Sequence, residues 1–367
     1  MAFRAAVLGA PDEQLAIESV EIDRVPPGSV LVRMGAAGLC HTDLEVINGE
    51  LKYPMPIVLG HEAAGTIEDV GSDVSRSRIG QKVALSWNPH CGICPPCERG
   101  EGILCDRYLE LGPQAVDFTG QTRIRSRRGP IYTMFFTAAF AEYSVVTSGC
   151  AIALPEDMPL DRACLLGCGV MTGHGAVTNV SNIRVGDSVL VIGCGAVGLA
   201  AIQASSLSGA TTVIAVDRHD SKLELARQFG ATHTLNTTTQ DVRTAAYDLT
   251  DGRGVDCVLE SAGTVSAFQL SVEVCRPGGE VIWLGKLAID EDITLRWGAL
   301  MQEKRIRRNS YGNARPHRDF PNLCRQYLNG TLKLDPLITD RIPLEDINLG
   351  FDALREKRAI RSVVTFD

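Results

Sequence analysis

No long uninterrupted apolar run occurs in this chain. The most hydrophobic stretch, SVLVIGCGAVGLAAI, is too short for a bilayer and is broken by glycines, so no membrane partner is expected. The amino-terminal MAFRAAVLGAPDEQLAIE lacks a basic start followed by a sustained apolar core, so no secretory leader is read and a cytoplasmic protein is expected. Basic excess is missing too: the formal net charge is −8, which gives no electrostatic reason to bind nucleic acid. There are no internal repeats and no low-complexity tracts. The remaining composition, 45% hydrophobic and 22% charged over 367 residues, suits a globular protein of two domains or three.

Cysteine is not scarce. Four of the twelve lie in CGICPPCERGEGILC, as Cys91, Cys94, Cys97 and Cys105 with spacing C-x2-C-x2-C-x7-C. In a reducing compartment such a cluster binds metal more often than it forms disulfides. Four thiolates complete the tetrahedron of a structural Zn²⁺ and leave no position for substrate; an iron–sulfur cluster needs the same four ligands. The glycines and prolines between them suit tight turns around an ion.

The texture of the chain changes part-way. Up to about residue 160 it reads as short strands with turn signals (FRAAVLG, SVLVRMGAAG, GTIEDVG, KVALSW, FAEYSVV), a β-rich domain. From about residue 183, apolar runs of parallel-strand type (SVLVIG, TTVIAVD, VDCVLE, EVIWLG) alternate with helical stretches. The first of these runs leads into Gly193, Gly195 and Gly198, a G-x-G-x-x-G at a strand-to-helix turn, where a pyrophosphate meets backbone amides. The next run ends at Asp217, placed to bond a ribose 2′-hydroxyl and to repel a 2′-phosphate, which favours NAD over NADP. A glycine-rich turn beside a surface aspartate is the plainer reading of the same residues.

Cys40, His61 and Cys168 also have zinc-ligand chemistry, although each alone would be read as a packing or surface residue. Together with GLCHTD, GHEAAGTIEDVGSDV, the cysteine cluster and GCGAVG, in this order, they make the chain resemble the zinc-containing medium-chain alcohol dehydrogenases over essentially its whole length. The resemblance implies an α/β protein: a doubly wound parallel Rossmann sheet plus a β-rich GroES-like catalytic domain. The catalytic domain would comprise residues 1–165 and 313–367, with the zinc lobe at 90–106, and the NAD-binding domain residues 166–312.

It further implies two Zn²⁺ per chain, the catalytic one on Cys40, His61 and Cys168, with Cys164 the nearby competitor for third ligand. Asp43 would orient His61, and Glu62 would lie close to the metal. Zinc would act as a Lewis acid on a primary alcohol or its aldehyde, Thr42 would take the alcohol's proton, and hydride would pass to NAD. Glu45 stands where many relatives place the histidine that ends a proton relay. His41 and Arg361 would contact the pyrophosphate, Thr172 and Val197 the nicotinamide, and Lys222 the adenosine ribose. Trp87, Met134 and Phe135 would line the substrate pocket, and Lys286 would attract an anionic substrate end or simply snorkel at a strand terminus.

The thiol-dependent formaldehyde dehydrogenase branch, which oxidises an S-hydroxymethyl thiol adduct, and a non-catalytic zinc scaffold are the competing readings. A homodimer, or else a homotetramer, is the expected assembly.

Overall fold

A computed structural model describes residues 1–22 and 24–366. The chain divides into two compact units, Met1–Cys168 with Arg315–Asp367, and Gly169–Ala314.

In the first unit, strands Ala2–Leu8, Ala16–Ile22, Ile124–Ser126, Gly129–Thr133 and Ile57–Val58 close a barrel. The strands alternate buried and exposed positions only in part. Phe3, Val20, Ile22, Ile124 and Ile131 point inward and form one of this unit's cores.

A second sheet runs in the order Ala151–Ala153, Lys82–Leu85, Glu62–Val70, Ser29–Gly38, Arg361–Thr365 and Ile338–Ile342, with Tyr143–Thr147 also on Ser29–Gly38. Strand Ser29–Gly38 is near-continuously buried because it is covered on both faces. Its register decides where the chemistry lies. Gly38 pairs with Glu62 on one side and with Val363 on the other. Three segments remote in sequence, 38–43, 60–62 and 361–363, therefore meet at one end of the sheet.

The second unit holds six parallel strands in the order His233–Asn236, Thr212–Asp217, Ser188–Ile192, Val255–Glu260, Cys275–Trp283 and Arg305–Arg308. This is the 3-2-1-4-5-6 order of the doubly wound Rossmann sheet, in which the chain reverses direction beside its first strand. Among the described residues, no helix is long and apolar enough to cross a membrane.

Candidate active site

Helix His41–Ile47 starts immediately after the central strand, with Cys40 as its N-cap. The Asp43 carboxylate folds back, its Oδ2 accepting the Cys40 amide at 3.0 Å and its Oδ1 accepting the Gly60 amide at 3.0 Å. The same Oδ1 lies 3.1 Å from Nδ1 of His61. A carboxylate only accepts, so Nδ1 carries the proton and the other ring nitrogen presents its lone pair. That nitrogen, Nε2, is buried and has no hydrogen-bond partner among the described residues.

What faces it is a set of metal-ligand atoms. One ligand atom each of Cys40, His61, Glu62 and Cys168 lies within 4.8 Å of the others. Cys168 arrives by way of a turn, and Gly167 permits the approach: a Cβ there would lie 3.1 Å from the Glu62 Cα and from the His61 and Leu85 carbonyl oxygens. Cys164 stands outside this set and gives its thiol to the Asp161 carbonyl at 3.2 Å.

The electrostatics call for a cation. The hydrogen bond from Cys168 holds the Cys40 thiol well below its usual range, and the same bond raises that of Cys168. Burial opposes a charge on His61, but Asp43 and Cys40 outweigh it and draw a proton to the ring. A zinc ion supplies the same positive charge while using the lone pairs of one nitrogen and two thiolates, so these residues fit the metal.

Glu62 is fully buried and pushed up to about 7 by burial, with Arg361 opposing that shift. Arg361 holds it by two bonds, Nε to Oε2 at 3.2 Å and Nη2 to Oε1 at 3.1 Å. Its Nη2 also points at Cys40 Sγ, 3.7 Å away, and Nη1 donates to the Ile360 carbonyl at 3.2 Å. These contacts occupy four of the five N–H donors of a guanidinium.

Thr42 and Glu45 lie three residues apart on the helix after Cys40, both half-buried, whereas His41 is exposed. Trp87 and Phe135 stand beside His61: Phe135 is 5.4 Å from the imidazole and 5.1 Å from the indole, centroid to centroid. Phe135 takes a left-handed φ of 48°, the strained kind of backbone that gathers at functional sites. Met134, beside it, is fully buried in the unit's main core, against which Phe135 also packs.

The lobe at 91–105 brings its four cysteine sulfurs within 4.8 Å of one another. Cys91 and Cys97 are 4.0 Å apart, close to the ~3.8 Å that two ~2.3 Å zinc–sulfur arms subtend in a tetrahedron. Such spacing encloses one ion rather than an iron–sulfur cluster. Pro95 opens the one-turn helix Pro95–Glu98 between ligands.

In the second unit each fingerprint glycine has a visible reason. Gly193 has a φ of 94°. A Cβ on Gly195 would meet nothing, so the loop there is open to a ligand. A Cβ on Gly198 would lie 1.7 Å from the Gly193 carbonyl oxygen. Asp217 is oriented by three backbone amides, those of Cys194 and Arg218 at 2.8 Å and of His219 at 3.0 Å. Thr172 sits on helix Gly169–Gly175, whose Gly173 packs directly on the Val197 carbonyl. Lys222 is half-buried on helix Asp220–Gln228, and Lys286 is exposed just after strand Cys275–Trp283.

The sequence matches the alcohol dehydrogenase GroES-like domain over residues 26–156 and the zinc-binding dehydrogenase domain over residues 196–329. It is 36% identical to the S-(hydroxymethyl)glutathione dehydrogenase of Aspergillus oryzae, over 99% of this chain and 96% of that one. The chain belongs to the zinc-containing alcohol dehydrogenase family.

This dehydrogenase is also 33% identical to alcohol dehydrogenase 1 of Trifolium repens, over 99% and 97% of the two chains. Its fold superposes on benzyl alcohol dehydrogenase from Acinetobacter calcoaceticus with a TM-score of 0.95, at 30% identity and full coverage of both chains. It is thus a zinc- and dinucleotide-dependent oxidoreductase of the alcohol and aldehyde interconverting kind. The sequence reading named the metal ligands but not Tyr53 and Tyr108, which flank the same aromatic residues: Tyr53 is 6.2 Å from Phe135 and Tyr108 is 6.0 Å from Trp87.

Proposed function

We propose that this enzyme oxidises unhindered primary alcohols to aldehydes with NAD, and runs the reverse reaction, using Cys40, His61 and Cys168 to hold the catalytic metal. The buried, partnerless Nε2 of His61 between two thiols carries this reading. Zinc bound there supplies Lewis acidity, which acidifies an alcohol hydroxyl or polarises an aldehyde carbonyl.

The residues around it do the rest. Asp43 fixes the His61 ring, and the Glu62–Arg361 pair sets the charge behind the metal ligands. Thr42 takes the proton of the alcohol and hands it on through Glu45 or water. Trp87, 9% exposed, presents its indole beside Phe135 and narrows the space for a branched carbinol. Asp217 supports NAD rather than NADP, since a second carboxylate-facing anion would be repelled. The catalytic cysteines and the closed lobe favour one catalytic and one structural zinc.

The thiol-adduct reading retains support from the fungal relative's name, but the ring-lined wall beside His61 favours a compact, flat alcohol. A homodimer, or alternatively a homotetramer, is proposed. Strand Arg305–Arg308 forms the sheet edge, and Ile289, Trp297 and Met301 are exposed in the segment before it. All twelve cysteines are free, which supports a reducing, cytoplasmic setting.

The test is NADH formation from a panel of primary and secondary alcohols and S-hydroxymethyl thiol adducts. A primary alcohol turned over at least tenfold more efficiently than its secondary isomer supports the proposal. Equal efficiency, or a strict requirement for a thiol, contradicts it.

A further inference from the structure

Four aromatic rings form a continuous wall beginning at the metal ligand His61. Phe135 meets His61 edge-on, at 5.4 Å and 70°, and Tyr53 meets Phe135 at 6.2 Å and 80°. Trp87 lies tilted on Phe135 at 5.1 Å and carries Tyr108 at 6.0 Å on its other side. The chain of rings thus ends in a phenol at each end. Tyr108 is near enough for Tyr53 and Cys168 to oppose its ionisation, and Tyr53 for Asp43 to do the same. The two phenols thus lie at the ends of one run of rings that passes beside the metal ligand His61.

These hydroxyls have no internal task. Both tyrosines are half-buried, and no hydrogen bond ties either hydroxyl to another described residue. Burial, the largest influence on each, raises both well above the usual phenol range, so both stay protonated and can donate as well as accept. A purely hydrocarbon substrate filling this space would strand two hydroxyls away from water, which is unfavourable. Flat rings at edge and tilted angles, by contrast, suit another flat ring.

Resting on the primary-alcohol reading above, we propose that the substrate is an aromatic primary alcohol bearing a second hydroxyl on its ring. The ring lies against Phe135 and Trp87, and its hydroxyl bonds to Tyr53 and Tyr108. In oxidation the carbinol carbon loses hydride to NAD⁺ and the carbinol hydroxyl loses a proton to solvent, giving the aldehyde, NADH and H⁺. The ring hydroxyl is unchanged and serves recognition alone. Tyr53 and Tyr108 are then specificity residues: a site built to bond a hydroxyl discriminates against the analogue that lacks it.

The experiment compares kcat/KM for meta- and para-hydroxybenzyl alcohol with that for benzyl alcohol, in the wild-type enzyme, in Tyr53→Phe and Tyr108→Phe, and in the double variant. The ratio is the readout, because it cancels any general loss of activity and any effect of the ring hydroxyl on the chemistry. For at least one hydroxylated isomer the wild-type ratio is expected to be about five- to tenfold, falling toward one in the double variant.

For a variant too slow to assay, the same ratio is read from the dissociation constants of the matching aldehydes, by fluorescence of the NADH complex. A ratio unmoved by both substitutions, or near one in the wild type while benzyl alcohol is oxidised, overturns this inference alone. Failure to oxidise any alcohol, aliphatic ones included, instead overturns the dehydrogenase reading on which it rests.

Discussion

Oδ1 of Asp43 lies 3.1 Å from Nδ1 of His61, and the two side chains are 0% and 1% exposed. That contact fixes which nitrogen of the ring faces the metal ligands. Because Asp43 also accepts the Cys40 and Gly60 amides, it couples the backbone of two ligand-bearing segments to the orientation of the third group.

Asp43→Asn is therefore expected to damage one zinc site only. An amide nitrogen cannot accept the amide hydrogens that the carboxylate accepts, and the ring loses its charged anchor. Zinc affinity at this site should fall about 10–100-fold. Counting zinc after dialysis against a mild chelator checks this: the cysteine lobe should keep its ion and the catalytic site should lose its own.

Cys97→Ser is expected to act on the other site. A closed shell of four thiolates contributes apparent folding free energy on the order of 10 kcal/mol in small zinc-binding peptides, and this lobe has little else to hold it. Residues 91–105 should become open to limited proteolysis, with cleavage mapped by mass spectrometry, while the Rossmann unit stays protected.

Much of this was legible in the sequence, for different reasons in different places. The cysteine lobe is local, so spacing alone conveys its chemistry, and the glycine fingerprint is local in the same way. Cys40, His61 and Cys168 are spread over more than a hundred residues, and only the family resemblance joins them. The physical link is a strand register, Gly38 against both Glu62 and Val363, which no periodicity reveals. Tyr53 and Tyr108 lie outside any strand pattern and gain their meaning from rings packed against them.

Asp217→Ala should weaken NAD binding about tenfold or more, by removing a charge-assisted bond to the ribose, and should also lift the barrier to NADP. The ratio of the two cofactors' kcat/KM values is the measurement. A ratio that stays constant would mean that Asp217 serves only to accept the three amides that fix its loop.

Glu260, fully buried at the end of the fourth Rossmann strand, is pushed up to about 7 by burial, against the pull of the Gly263 and Ala262 amides. Its folded value lies above its unfolded one, near 4.5, so the folded state binds the extra proton. The stability it contributes is complete below pH about 4.5 and is lost as pH rises towards and through about 7. Glu260→Gln removes the titration while keeping an acceptor for the Ala262 and Gly263 amides, each under 3 Å from Oε1. Relative to wild type, this variant should gain in urea midpoint between pH 5 and pH 8; an unchanged difference would place Glu260 outside the pH response.

Cys40→Ala tests the central claim most directly. Cys40 is one of three groups assigned to the catalytic metal, and it lies outside the cysteine lobe. Zinc content and NADH formation from a primary alcohol, measured on the same preparation, are predicted to change together: the variant keeps the lobe's zinc, loses the other, and forms no NADH. A variant that still oxidises the alcohol at the wild-type rate, or a wild-type enzyme that holds only the lobe's zinc, would contradict the account.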